Sequence, residues 1–308
     1  MPKCRTILFA AALAALLPVA LASQALAKPG DLYVTNNKGD NIVRFTPGGA
    51  ESVFASTGLN QPTGLAFDAS GNLYAASSRN NTIVRFTPGG AASVFASTGL
   101  DDPTGLAFDA SSNLYAANFI SSTIEKFTPG SAASQFASTE LSNPTGLAFD
   151  GSGNLYAAGF ADSTIMRFTP SGAASVFTST GLAIPTGLAF DASGNLYVAD
   201  SGNNTIARFT PGGTRSLFAS TGLNGPFGLA FDASGNLYAA NGGNDTIERF
   251  TPSGAASVFA STGLNSPAFL AFEPAGTPPP SPVPEPASAV LLAFGLGGLG
   301  VLRRRRGH

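Results

Sequence analysis

The sequence predicts an all-β fold, a six-bladed propeller of four-stranded blades, and three observations predict it. The first is a period. A Leu-Tyr pair recurs at positions 32, 73, 114, 155, 196 and 237, every 41 residues without insertion or deletion. Proline at 62, 103, 144, 185, 226 and 267 keeps the same spacing, as does an Arg-Phe-Thr-Pro-like run from 44, 85, 126, 167, 208 and 249. The second is the content of one unit, four short strands separated by turn signals, which at this length reads as a propeller blade. The third is phase. The repeats open at a second strand, Leu32-Tyr33, and close on a lone first strand over 268–272. One blade therefore takes three strands from the front of the chain and its innermost strand from the back. Such a clasp leaves no open sheet edge between the first and last blades, whereas a solenoid would need capping repeats.

The elements follow in chain order. Residues 1–27 read as a signal peptide. Lys3 and Arg5 form a basic start, Ile7 to Leu21 is almost wholly apolar, and Ala25-Leu26-Ala27 supplies a small-residue cleavage site. Cys4 lies in the basic start, away from the cleavage point, so it reads as a residue lost with the signal and not as a lipid anchor. The propeller is expected over 28–275. In the third unit its strands are predicted at 105–109, 113–117, 123–128 and 133–137. Asp-Ala-Ser-Gly-Asn turns the first strand into the second, and Thr-Pro-Gly-Gly or a relative turns the third into the fourth. A proline-rich linker follows over 276–286, then an apolar run over 287–302 and four arginines. Those sixteen apolar residues span about 24 Å as a helix at ~1.5 Å each, short of a bilayer core of about 30 Å unless flanking residues extend the reach. A membrane helix at 287–308 is expected, with its arginines cytoplasmic and everything upstream outside.

Removing both ends changes the charge balance. Six of the 16 basic residues lie in the tails, leaving ten against all 18 acids, a net charge of −8 for the central region. Nucleic acid, which requires a basic footprint, is excluded as a partner. The one cysteine and the one histidine, Cys4 and His308, lie in the tails. The central region thus has no disulfide, thiolate metal site or histidine-based acid–base chemistry to offer. No nucleophile-elbow, phosphate-loop or dinucleotide motif occurs either.

Two resemblances rest on these residues. The run "PTGLAFDASGNLYVADSGNNTIARF" at 185–209, repeated with small changes along the chain, resembles NHL repeats. More loosely, it is similar to the propellers of the SMP-30/gluconolactonase and virginiamycin B lyase groups. The resemblance implies a ligand face built from the loops entering each first strand and leaving each second strand. At the C-terminus Val283, Pro284, Glu285 and Pro286, the Gly/Leu-rich run, and Arg303, Arg304, Arg305 and Arg306 resemble a PEP-CTERM sorting signal. That resemblance implies a Gram-negative host and processing by an exosortase-type protease. It also implies transient anchoring in the inner membrane and delivery to the cell surface or the exopolysaccharide matrix of a biofilm.

Candidate sites are few. The gluconolactonase resemblance implies a divalent cation near the start of the inner strands. Here that place falls on Thr63, Thr104, Thr145, Thr186, Phe227 and Ala268, with neither acid nor amide among them. The column after the second strand holds Asn36, Asn118, Asp200 and Asn241, which could ligate Ca²⁺ if they converged, or else form polar caps. No cofactor is otherwise expected. Asp68, Asp109, Asp150, Asp191 and Asp232 read as turn formers, and the basic column from Arg44 to Arg249 as strand surface or cross-strand ion pairs.

Phenylalanine is more informative. Eighteen of the 24 occupy three repeat columns and two more lie in the tails, leaving Phe119, Phe160, Phe227 and Phe269 off pattern. With Ile120 they fall on one face of the ring, as an apolar contact patch or a plug of the channel. The expected function is a non-catalytic binding or structural protein of the surface or matrix, with an unknown envelope protein or exopolysaccharide as partner. The alternatives are a hydrolase or lyase working at the axial funnel, and a dedicated exopolysaccharide-binding module.

Overall fold

A computed structural model describes residues 30–138 and 140–274. The expected signal peptide, linker, sorting motif and terminal helices lie outside the described residues. Six four-stranded antiparallel sheets follow one another around an axis, numbered here as blades 1 to 6 from the first described residue. Blade 1 pairs the C-terminal strand Pro267–Phe272 with Leu32–Asn36, completing its sheet with Asn41–Phe45 and Glu51–Ala55. The clasp expected from the phase of the repeat is therefore present.

In blade 3 the inner strand is Pro103–Phe108, followed by Leu114–Asn118, Thr123–Phe127 and the outer Ala133–Ala137. The inner strand starts two residues earlier than the sequence reading placed it. The cause is a bulge. Pro103 pairs with Asn118 and Leu106 with Ala116, so two residues of one strand, Thr104 and Gly105, face the single Ala117 of the other. Proline is tolerated there because it opens the strand. The two turns are built as their chemistry predicts. Asp109 Oδ1 accepts the amides of Ser111 and Asn113 while its Oδ2 accepts Asn113 Nδ2, each at 2.8–2.9 Å. In the Thr-Pro-Gly-Gly turn Gly49 stands at φ +83°, Thr46 N donates to Ala50 O, and Gly49 N donates to Thr46 O.

Blades pack through aromatic rings. Tyr74 meets Phe95 of its own blade and Phe108 of the next, both at 5.0 Å and edge-to-face, and Phe95 meets Phe127. The same three contacts recur at every interface, including the closing one, where Tyr238 touches Phe259 and Phe272 and Phe259 touches Phe45. Six apolar clusters, one per interface, grow around these rings. Each tyrosine and phenylalanine so buried contributes about 1.5–3 kcal/mol by area, and edge-to-face geometry adds to that.

An arc and a full circle of hydrogen bonds tie the blades near the axis. Around the channel, hydroxyls of Thr63, Thr104, Thr145 and Thr186 donate to the carbonyls of Pro103, Pro144, Pro185 and Pro226 in the following blade, at 2.9–3.3 Å. Blade 1 has Ala268 in that column, and Thr35 on its second strand supplies the hydroxyl instead, donating to Thr63 O at 2.7 Å. Higher up, a side-chain oxygen from each second turn accepts the backbone amide that precedes the next inner-strand proline. Asp40 to Gln61, Asn81 to Asp102, Ser122 to Asn143, Ser163 to Ile184, Asn204 to Gly225 and Asp245 to Ser266 complete this circle. The described chain begins and ends side by side, where Glu273 N donates to Asp31 O at 2.9 Å, on the face opposite this circle.

Candidate functional site: the axial funnel

The loops entering the inner strands and leaving the second strands surround a cavity of about 210 Å³ on the ring axis. Its polar groups, Asn37, Gln61, Ser78 and Asp102, come from blades 1 to 3, and Thr63, Thr104 and Thr145 line it from the inner strands. Its rings come from elsewhere. Phe119 of blade 3, Phe160 of blade 4 and Phe227 of blade 6 line the remaining side. Phe119 and Phe160 meet edge-to-face at 5.5 Å, and Phe227 meets Phe269 in the same way at 5.4 Å.

The structure thus brings together three of the five residues singled out as a patch. Phe119, Phe160 and Phe227 are half-buried, so they form neither an external patch nor a fully sunken plug; they line the mouth of a funnel. Ile120 lies outside the cavity on the rim, 64% exposed. Phe269 is buried in the column held elsewhere by glycine. In blades 2 to 5 a Cβ on Gly64, Gly105, Gly146 or Gly187 would fall on the carbonyl oxygen of the next blade's inner strand. Phe269 packs on Phe227 across the seam between blades 6 and 1, where among the described residues no threonine hydroxyl bonds the two blades. An aromatic pair replaces the hydroxyl bond at that one step.

The candidate calcium ligands do not converge. Asn36, Asn118, Asp200 and Asn241 are buried in four different blades. Each holds the loop leading into its own blade's inner strand. Asn118 Nδ2 donates to Gly99 O at 2.8 Å while its Oδ1 accepts Asp101 N at 3.1 Å, and Asn36 and Asn241 repeat this pattern. Asp200 accepts Ala183 N at 2.6 Å and Asn203 Nδ2 at 2.8 Å. Among the described residues no three acidic side chains gather as a metal site would require.

The turn aspartates and two members of the basic column have structural partners. The aspartate column caps its turns, Arg44 pairs with Asp31, and Lys126 lies 4.0 Å from Asp109 and over the Tyr115 ring. Burial, helped by the Glu273 charge, pushes the Tyr33 phenol up to about 12, so it stays protonated. A second cavity of about 160 Å³ lies on the opposite face, where blade 1 lacks the turn that joins inner and second strands elsewhere. Its lining residues, such as Asp232, Tyr238 and Arg249, all belong to repeat columns, so the space reflects the clasp and no distinct chemistry.

The sequence reading missed one rim residue. Ile184 stands at φ +57° and is 39% exposed, beside the Phe160 loop through the bond from its amide to Ser163. A β-branched residue in the left-handed region is strained, by about 1–3 kcal/mol, and strain of this kind gathers at functional loops. Its column otherwise reads Gln61, Asp102, Asn143, Gly225 and Ser266, so the isoleucine was visible as an exception.

Among solved structures, the nidogen of a nidogen/laminin complex is similar over 80% of this chain and 98% of its own, at 21% identity and a TM-score of 0.73. A virginiamycin B lyase from Staphylococcus aureus gives 0.63 at 18% identity, covering 80% of this chain and 92% of its own. A gluconolactonase from Xanthomonas campestris gives 0.63 at 19%, covering 78% and 89%. At these identities the likeness shows the fold, and it includes both enzymes and a non-enzyme. No curated protein matches the sequence. The PEP-CTERM sorting motif matches residues 282–306, which marks the chain as exported and sorted to the bacterial surface. The virginiamycin B lyase family model, which the sequence reading set behind NHL repeats, matches residues 18–276, and the chain belongs to that family.

Proposed function

We propose that this protein is a non-catalytic binding component of the cell surface or extracellular matrix, released there by an exosortase-type protease, and that it holds its ligand in the axial funnel. The observation that carries this reading is convergence. In a chain that repeats itself every 41 residues, three of the four unrepeated phenylalanines line one cavity. Repeated groups serve the frame, and exceptions define the site.

The absence of suitable catalytic groups supports a binding role. The described residues contain neither histidine nor cysteine, and four threonine hydroxyls at the axis already donate to backbone carbonyls. A lyase relative solved with quinupristin was made inactive by changing one histidine to alanine. This chain has only His308, at its extreme end. Family membership itself favours the second reading, a lyase or hydrolase at the same funnel, in which Asp102 would be the only ionisable group available to it.

Affinity capture separates the readings. The protein should retain exopolysaccharide or an envelope component, and changing Phe119, Ile120 and Phe160 together to serine should abolish retention. Because the two rings are half-buried, the triple change should cost about 1–3 kcal/mol in a thermal melt without unfolding the ring. Undiminished capture by the folded variant would remove the funnel from the function. Turnover of a cyclic lactone by the wild type, lost in Asp102→Asn, would establish the enzyme instead.

A further inference from the structure

We propose that the funnel takes a small organic cation, an ammonium or guanidinium carried on an apolar body, seated between the Asp102 carboxylate and the rings of Phe119, Phe160 and Phe227. This deepens the binding reading above and rests on it.

Among the described residues, Asp102 is the only ionisable one lining the cavity. Its backbone is fixed on both sides: its amide donates to Asn81 Oδ1 at 2.7 Å and its carbonyl accepts the amide of Phe119 at 3.1 Å. The residue is thereby set next to Phe119 in the lining. Among the described residues no hydrogen bond or ion pair occupies that carboxylate, in contrast to the turn aspartates, each tied by its own loop. An unneutralised acid next to aromatic faces is the arrangement that recognises a positively charged group of low hydration, since the ring quadrupole and the carboxylate attract the same ligand. The central region's net charge of −8 draws cations toward it from a distance.

Other ligand classes fit less well. An anion would meet Asp102 with no basic group in the lining, because Arg79 is exposed and turned to Gln61 Oε1 at 2.9 Å and Lys38 is exposed on the rim. A polyol needs several free donors and acceptors. Thr63, Thr104 and Thr145 have donated their hydroxyl protons to the backbone, and Gln61 has its oxygen engaged. A cavity of about 210 Å³ equals roughly seven waters at ~30 Å³ each, room for a head group and not for a chain.

Calorimetric titration of the purified protein with choline, its neutral isostere 3,3-dimethylbutanol and the anion 3,3-dimethylbutanoate tests the idea. Choline should bind at least tenfold tighter than the alcohol, the anion should not bind, and added salt should weaken the choline complex. Asp102→Asn should lower choline affinity at least tenfold and leave the alcohol unchanged. Phe119→Leu with Phe160→Leu, which keeps an apolar lining but removes the rings, should weaken choline severalfold at an unaltered melting temperature. Equal binding of choline and alcohol would overturn the cation inference while leaving the funnel as a site. Failure of choline to bind, with capture still sensitive to the serine triple variant, would likewise overturn the cation and spare the binding reading. Failure of both experiments would overturn both.

Discussion

Thr35 and Ala268 exchange roles that blades 2 to 5 assign the opposite way. The inner-strand hydroxyl is missing in blade 1, and a threonine appears on the neighbouring strand where the other blades have alanine. Neither substitution looks purposeful alone in the sequence; only the register that sets the two strands side by side reveals the compensation. The same holds for Asn36, Asn118 and Asn241, whose composition suggested metal ligands and whose partners are loop amides. The off-pattern phenylalanines, by contrast, were legible, because a break in a strict repeat needs no structure to be seen. Glu248 carries a further consequence. It is buried at 4% exposure in a column that holds Met166 in blade 4, and burial raises its pKa above the usual glutamate range. The folded protein therefore holds this proton to a higher pH than the unfolded chain does. Stability from this group is complete below the ordinary value of about 4.3 and falls as pH rises from there through the raised folded value. Glu248→Met should accordingly raise stability by about 1 kcal/mol near neutral pH and by less near pH ~4, as read by thermal melts at the two pH values.

Strands and turns were readable because their chemistry is local. Asx turns, glycines at positive φ and a tyrosine after every leucine need no distant partner to declare themselves. The inner strand was less readable, since its bulge serves the packing of six strands around one axis. Gly146 shows the demand: a Cβ there would fall on the carbonyl oxygen of Thr186 in the next blade. The most exposed element energetically is the clasp strand Pro267–Phe272. It carries Leu270 and Phe272 into the closing cluster and stands in the ring of inner strands. Deleting 267–274 should abolish cooperative melting, because blade 1 loses its inner strand and blade 6 the surface that covers Tyr238. A truncated protein that melts as sharply as the parent would disprove closure by the clasp.

At the level of the whole molecule, ring closure was decided by counting. Six equal units with a shifted phase leave one arrangement, and the last aromatic contacts, Tyr238 with Phe272 and Phe259 with Phe45, match those within the chain. Function was not legible in the same way, because the frame is shared by enzymes and a non-enzyme while the funnel is lined partly by residues that depart from the repeat. What the funnel contains was half visible: rings could be named, but Asp102 lay hidden among 18 acids until the fold placed it. The sorting tail gives a cellular prediction. Replacing Pro284, Glu285 and Pro286 with alanine should leave the protein in the inner-membrane fraction on cell fractionation. Normal release of that variant would reduce the tail to a simple anchor.

The clasp also gives the molecule a direction. Inner strand and second strand of blade 1 meet at Phe272 and Leu32, and the first and last described residues lie there, on the side away from Phe119 and Phe160. A tether attached after residue 274 would start from that blunt side, like a stalk beneath a cup. The funnel mouth lined by Phe119 and Phe160 opens on the other face, so a ligand entering there would approach from the side opposite the first and last described residues.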